Sequence, residues 1–168
     1  MKITTTKDKS AEIIAQVRAL TKKEVLIGVP DENAPRTPDE EEAQKGEPIN
    51  NATIGYINET GSPAANIPAR PHLVPGIEKE RDRIARILTN GAKNAISGKE
   101  DAADIALEKV GIVAESSVKN VITAVIPPPL AERTLREREA RGRTGQTPLI
   151  DTGQYRNSIT HVIRDKGK

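Results

Sequence analysis

The chain has 168 residues, 26 basic and 24 acidic side chains for a formal charge of +2, and two aromatic residues, Tyr56 and Tyr155. That is the size of one domain with its own core, and a charge so near zero points to neither nucleic acid nor membrane. With no cysteine, disulfides, thiolate metal sites and cysteine nucleophiles are excluded. A core without Phe or Trp has to be built from Ile, Val, Leu and Ala, which bury less area per residue than aromatic side chains. Association with copies or partners is the expected source of further burial. No run approaches the roughly 20 apolar residues that span a bilayer, and the opening MKITTTKDKSAEII lacks a leader-like apolar core. A soluble protein made in a cytoplasm is expected.

From about Asp8 to Thr21, Ile13, Ile14, Val17 and Leu20 recur at helical spacing and predict an amphipathic helix whose stripe faces a core. Glu24 to Val29 reads as a strand with Val25, Ile27 and Val29 on one face, ended by Pro30. The run over 31–48 then turns acidic and nearly devoid of apolar residues, with Asp39 to Glu42 at its centre. Such a composition does not offset its own ordering entropy, so a mobile acidic insertion is expected. The alternative is an acidic surface that repels DNA or meets a basic partner.

Residues Ile49 to Ile77 form a shaped corner. Asn50 is placed to cap a short helix with Ile49 and Ile54 as a hydrophobic staple, and Gly61 stops it. The proline-rich stretch to Pro71 forces an extended path, and a second helix restarts at Pro75. Arg70, between Ala69 and Pro71, is the charged residue held on stiff backbone and reads as a structural or interface ion-pair partner. Gly76 to Ile96 predicts one long amphipathic helix with a charged outer face. Ser97 and Glu100 have capping-box spacing and open another helix to about Val125, with Ile105, Val110, Ile112, Val113, Val118, Val121, Ile122 and Val125 on its apolar face. The short connection makes these two an antiparallel hairpin.

Three prolines, Pro127 to Pro129, end that helix. Leu130 to Ala140 predicts one more helix, leading into a flexible loop, and the whole of 130–147 reads as a basic arm carrying Arg133, Arg136, Arg138, Arg141 and Arg143. A phosphate-binding patch is the sharper reading of that arm, but interleaved glutamates dilute the charge and no aromatic is present to stack on bases. Asp151 is placed to cap a short helix, with Ile150 and Tyr155 at its staple positions. Ile159 to Arg164 alternates as a strand able to pair with Glu24 to Val29. The fold class expected is therefore α+β, a small and mostly antiparallel sheet packed with several amphipathic helices including a long helical hairpin, in a single domain over 1–168.

Catalytic patterns fail one by one. His72 and His161 stand alone without HExxH spacing, so no metal site is expected; neither a nucleophile elbow nor a phosphate-binding Walker loop occurs. The acidic cluster lies in an insertion expected to be mobile, which does not hold two carboxylates at a fixed separation. No catalysis and no cofactor are expected.

Two stretches carry a family likeness. INNATIGYINETGSPAANIPARPHLVPGI resembles the "IPARPFL" signature of the tail-completion or neck (head–tail joining) proteins of tailed bacteriophages, of the Mu-like virion-morphogenesis type. PLIDTGQYRNSITHVI is similar to their C-terminal signature, and PPPLAERTL between them to a third element; together these cover roughly half the chain. The resemblance implies a structural virion protein, not an enzyme, that forms a homo-oligomeric ring of six or twelve copies completing the tail or sealing the neck. Its implied partners are head-connector or portal-side proteins and tail-tube proteins, with packaged DNA nearby and no membrane. It would be assembled in the host cytoplasm. By position, Tyr56, Gly61, Pro68, Arg70, Pro71 and Leu73 belong to the first signature, and Asp151, Thr152, Gly153, Arg156, Ser158 and Ile159 to the second. His72 stands where Phe is usual and Tyr155 where Leu is common. Of the signature residues, Tyr56, Gly61, Pro68, Arg70, Pro71, Leu73, Asp151, Gly153 and Arg156, with Arg133, Arg136, Arg141 and Arg143 of the arm, are the candidate interface residues. The competing reading is a small nucleic-acid-binding protein using the arm from Arg133 to Arg143.

Overall fold

The computed structural model describes residues 8–37 and 49–167. Its elements in chain order are α1 (Ser10–Lys22), β1 (Lys23–Gly28), a 3₁₀ turn (Asp31–Asn33), α2 (Asn51–Thr60), a second 3₁₀ turn (Pro63–Ala65), α3 (Leu73–Lys79), α4 (Arg81–Ile96), α5 (Ala102–Thr123), α6 (Glu132–Ala140), α7 (Gln154–Ser158) and β2 (Thr160–Asp165). The fold is α+β. Among the described residues no helix is long and apolar enough to cross a membrane.

The two strands pair antiparallel, from Lys23 opposite Asp165 to Gly28 opposite Thr160, the pairing expected from their alternation. One face of this ribbon, with Ile27 and His161, lies on α5. The other carries Leu26 opposite Val162 and an ion pair of Arg164 with Glu24 at 3.0 Å. A two-stranded ribbon is marginal alone, and α5 supplies what it lacks.

Helix α5 is the axis of the molecule. It forms the hairpin with α4 and also packs against α1, α3 and both strands. Its buried positions are mostly small: Ala102, Ala103, Ala106, Gly111, Ala114 and Ser117, with Leu107, Val110, Val118 and Ile122 among them. Small side chains let neighbours approach closely. A Cβ on Gly91 of α4 would overlap that of Ala106, one on Gly111 would overlap the His161 ring, and one on Gly76 of α3 would sit 2.8 Å from the Val118 Cα. The expected apolar face is therefore only partly right: Ile105 and Ile112 are about half exposed, and Val125 lies beyond the helix at 73% exposure. Hydropathy marks bulky β-branched residues, whereas contact here follows the small ones.

Three local expectations are corrected. The long helix from Gly76 breaks at Glu80, whose N–H reaches Ile77 in a tight i−3 bond before α4 starts with Ile84 bonding Glu80. Ser97 does not open α5; it closes α4, and Gly98 at φ +74° completes a Schellman end with Lys99 N–H on Asn94 O at 3.1 Å. The first amide of α5, on Ala102, is instead received by the Gln16 side chain of α1 at 3.0 Å. Asp151 does not cap α7, where Gly153 at φ +83° holds the cap position. Asn50 does cap α2, accepting from Thr53 N–H at 2.8 Å, and Gly61 has φ +76° with Ala69 N–H 2.8 Å from where a Cβ would lie.

Of the expected acidic insertion, residues 31–37 pack on the body: Ala34 is buried, and Asn51 donates to the Asn33 and Pro35 carbonyls. The stretch 38–48 lies outside the described residues. The basic arm folds back, because the Arg138 guanidinium donates to the carbonyls of Gly145 (2.8 Å), Thr147 (3.2 Å) and Ile150 (2.9 Å).

The close approach at Val118 predicts that Gly76→Ala lowers stability by about 1–3 kcal/mol, despite alanine's better helix propensity. Gly145→Ala, with open space around it, is the control and stays within about 0.5 kcal/mol. Urea denaturation followed by circular dichroism measures both.

A buried polar node beside an arginine-lined cavity

The cluster of Val118, Ile122, Tyr155 and Ile159, with Ile54, Leu73, Ile77, Leu149 and Ile150 around it, is the centre of the hydrophobic core. A polar network runs along its edge. Tyr155 packs its ring on Gly55 of α2 and meets His72 edge-on, with ring centroids 5.5 Å apart. His72 is fully buried. Its Nδ1 lies 2.8 Å from the Arg70 carbonyl and 3.0 Å from Glu59 Oε2, both acceptors, so Nδ1 carries a proton. Its Nε2 is hydrogen-bonded to the Tyr155 hydroxyl. Burial, with the Glu59 carboxylate nearby, pushes the Tyr155 hydroxyl above its ordinary pKa.

Glu59 holds the network to the backbone. It sits in the last turn of α2, where an acidic side chain opposes the helix dipole, and reaches across the corner to α3. There it accepts from the backbone N–H groups of His72 (2.8 Å), Leu73 (3.0 Å) and Val74 (3.3 Å). One carboxylate thus satisfies the free amides at the start of α3 and also lies 3.0 Å from His72 Nδ1. Burial alone would raise its pKa, but the three amides and His72 outweigh that and hold it below the usual carboxylate range.

Arg70 lies on the other side of the same corner. Its backbone N–H bonds the Asn58 carbonyl at 2.6 Å. Its guanidinium donates to the carbonyls of Pro128 (3.0 Å) and Pro129 (3.1 Å), tying the corner to the proline run after α5. Burial depresses its pKa. Beyond it opens a cavity of about 250 Å³, lined among others by Arg36, Arg70, Arg138, Asn51, Leu130 and Asp151. Asp151 ion-pairs with Arg138 at 3.5 Å and Arg143 at 2.5 Å, which is why it does not cap α7.

The candidate residues divide accordingly. Arg70, Asp151 and Gly153 meet at the cavity, Leu73 joins the core cluster, and Arg156 Nε bonds Thr123 Oγ1 at 3.1 Å, tying α7 to the end of α5. Tyr56, Pro68 and Pro71 lie on the exterior, as do Arg133, Arg136 and Arg141. His72, Tyr155, Glu59, Asn51 and Arg138 are the participants that the candidate set leaves out. The misplaced charge of Glu59 at a helix C-terminus is the signal that identifies it.

His72→Phe and Tyr155→Phe should each cost about 1–3 kcal/mol by leaving a buried partner unpaired. The double variant should cost less than their sum by about 1 kcal/mol or more in a double-mutant cycle; strict additivity would rule the coupling out. Glu59→Gln should cost about 1.5–3 kcal/mol at pH 7. Because the folded pKa of Glu59 lies below its unfolded value of 4.5, its contribution is present above that pH and is lost as pH falls through the folded pKa. The two unfolding curves therefore converge in acid. No family model, characterised protein or solved structure matches this chain.

Proposed function

We propose that this chain is a structural virion protein of the neck or tail terminus of a tailed bacteriophage, assembling as a ring that completes the tail and joins it to the head. The observation that carries this reading is the meeting of the two stretches that bear the resemblance. They are 83 positions apart at His72 and Tyr155, yet they form one buried node, and the two positions that depart from the signatures are bonded to each other.

The surface agrees with a subunit role. Tyr56, Val74, Ile105, Ile112 and Val125 are large apolar side chains at least half exposed, the kind of surface that neighbours in an assembly cover. The arm agrees better with protein contacts than with nucleic acid. Arg138 is buried on carbonyls and Arg143 is paired with Asp151, while Arg133 and Arg136 each pair with a glutamate one turn away.

Sedimentation and negative-stain microscopy of the purified protein should show closed rings; a chain that stays monomeric at high concentration would overturn the reading. Reversing the charge of Arg133, Arg136 and Arg141 should leave circular dichroism unchanged and reduce ring formation. Undiminished rings in that triple variant would remove the arm from the interface.

A further inference from the structure

The β-ribbon has an edge that another strand fits. Lys166 N–H bonds Lys22 O, and in the antiparallel register this fixes the alternation of the ladder. Glu24 with Arg164 and Leu26 with Val162 are hydrogen-bonded pairs, while His161 and Ile163 turn their N–H and C=O groups away from β1. Among the described residues the sheet ends there, with β1 and β2 its two strands. An open strand edge is a template for pairing, and two strands are fewer than a stable sheet needs.

Beside that edge lies a groove of about 820 Å³. Ile163 of β2 and Ile105, Glu108, Lys109 and Ile112 of α5 line it, whereas Val25 and Ile27 in the middle of β1 do not, so it lies on the outer side of β2. On α5, Ile105, Lys109 and Ile112 share the flank between the side that meets the ribbon at Gly111 and the side that meets α4 at Ala106. Both isoleucines are about half exposed, and among the described residues Lys109 has no ion pair.

The geometry points to this face as a contact between two copies of the chain, related by a two-fold axis at Ile163, with β2 paired antiparallel to β2 of the second copy in a four-stranded sheet. Spacing and charge fit a second copy better than a lone peptide. Adjacent strands lie about 4.8 Å apart, and α5 packs equally on β1 and β2, beneath the midline of the ribbon. The two α5 helices then run antiparallel about 10 Å apart, within reach of the roughly 8–10 Å at which helices pack. Along α5, His161 sits over Gly111, and the far end of the ribbon sits where Lys23 bonds Asp104, so Ile163 stands near the level of Glu108. A two-fold at that level sets Ile105 toward Ile112 of the second copy and Lys109 toward its Glu108, each twice. One contact thus pairs the strand edge, covers both isoleucines and gives Lys109 a carboxylate. It does not rest on the assembly reading above, because an isologous contact joins two copies and stops, whereas a ring needs a heterologous contact elsewhere.

The chain has no cysteine, so one introduced at the axis reports the contact. Opposed residues of a hydrogen-bonded pair lie about 5.5 Å apart at Cα, within disulfide reach. Ile163→Cys should therefore give a covalent dimer on mild oxidation, read on a non-reducing gel. Leu26→Cys, on the far strand and 39% exposed at the native leucine, should not. In sedimentation equilibrium, Lys109→Glu and Glu108→Lys should each weaken dimerisation about 10-fold or more, since each sets like charges against one another. The double variant restores opposite charges and should recover dimerisation, a gain that misfolding does not imitate. A chain that stays monomeric at its highest soluble concentration, association without cross-linking at residue 163, equal cross-linking at residue 26, or no recovery in the double variant overturns the proposal. Rings that form while Ile163→Cys stays uncross-linked overturn this contact and leave the assembly reading in place; covalent dimers of a chain that never closes rings do the reverse.

Discussion

How near other elements come to α5 is set by three glycines, and the rest of the structure depends on that distance. Gly76 lets α3 lie on Val118, Gly91 lets α4 lie on Ala106, and Gly111 makes room for the His161 ring from the sheet. In a chain with two tyrosines, one of them exposed, and no Phe or Trp, few large rings fill gaps, so burial comes mostly from bringing backbones together. His161, seated in that space, then bonds Glu115 at 2.8 Å and Glu108 at 3.2 Å. Its polar ring is thus accepted between the sheet and α5 without an unpaired nitrogen.

The polar node follows from the same scarcity. Tyr155 is the chain's one buried tyrosine and brings a hydroxyl into the core that needs a partner; His72 supplies it, and Glu59 and the Arg70 carbonyl orient His72 in turn. A buried network of this kind fixes α2, α3 and α7 in one relative placement, because any shift leaves a buried donor or acceptor unmatched. Arg70 extends that placement to the proline run and Arg156 to the end of α5.

Signals that act within a few residues were legible in the sequence. Asn50 caps α2, Gly61 turns the chain, and the two alternating runs pair as a ribbon, because each depends on stereochemistry that the residues themselves impose. What escaped depends on residues far along the chain. Ser97 carries the pattern of a helix start, but Gly98 beside it terminates α4 more strongly. Asp151 is drawn from capping by Arg138 and Arg143. Ile105 and Ile112 read as core residues, yet Ala102, Ala106 and Gly111 decide which face is covered. At the node, Arg70 was visible as a fixed charge between prolines, whereas its carbonyl partners lie 58 and 59 positions away. The role of Glu59 is likewise settled only by the corner that folds α3 back onto it.

The β-ribbon has a consequence for the order in which the chain acquires its shape. Its ladder runs from residue 28 opposite residue 160 to residue 23 opposite residue 165, so every rung encloses nearly all of the intervening polypeptide. The α4 and α5 hairpin, by contrast, closes through the few residues from Ser97 to Asp101. Loop-closure entropy is small for the hairpin and large for the ribbon. During synthesis β1 is made before α5, on which it will rest, and β2 after it. On these grounds the helical hairpin forms first and serves as the template, and the ribbon is the final seam. Until it closes, β1 presents an unpaired edge to any neighbouring chain.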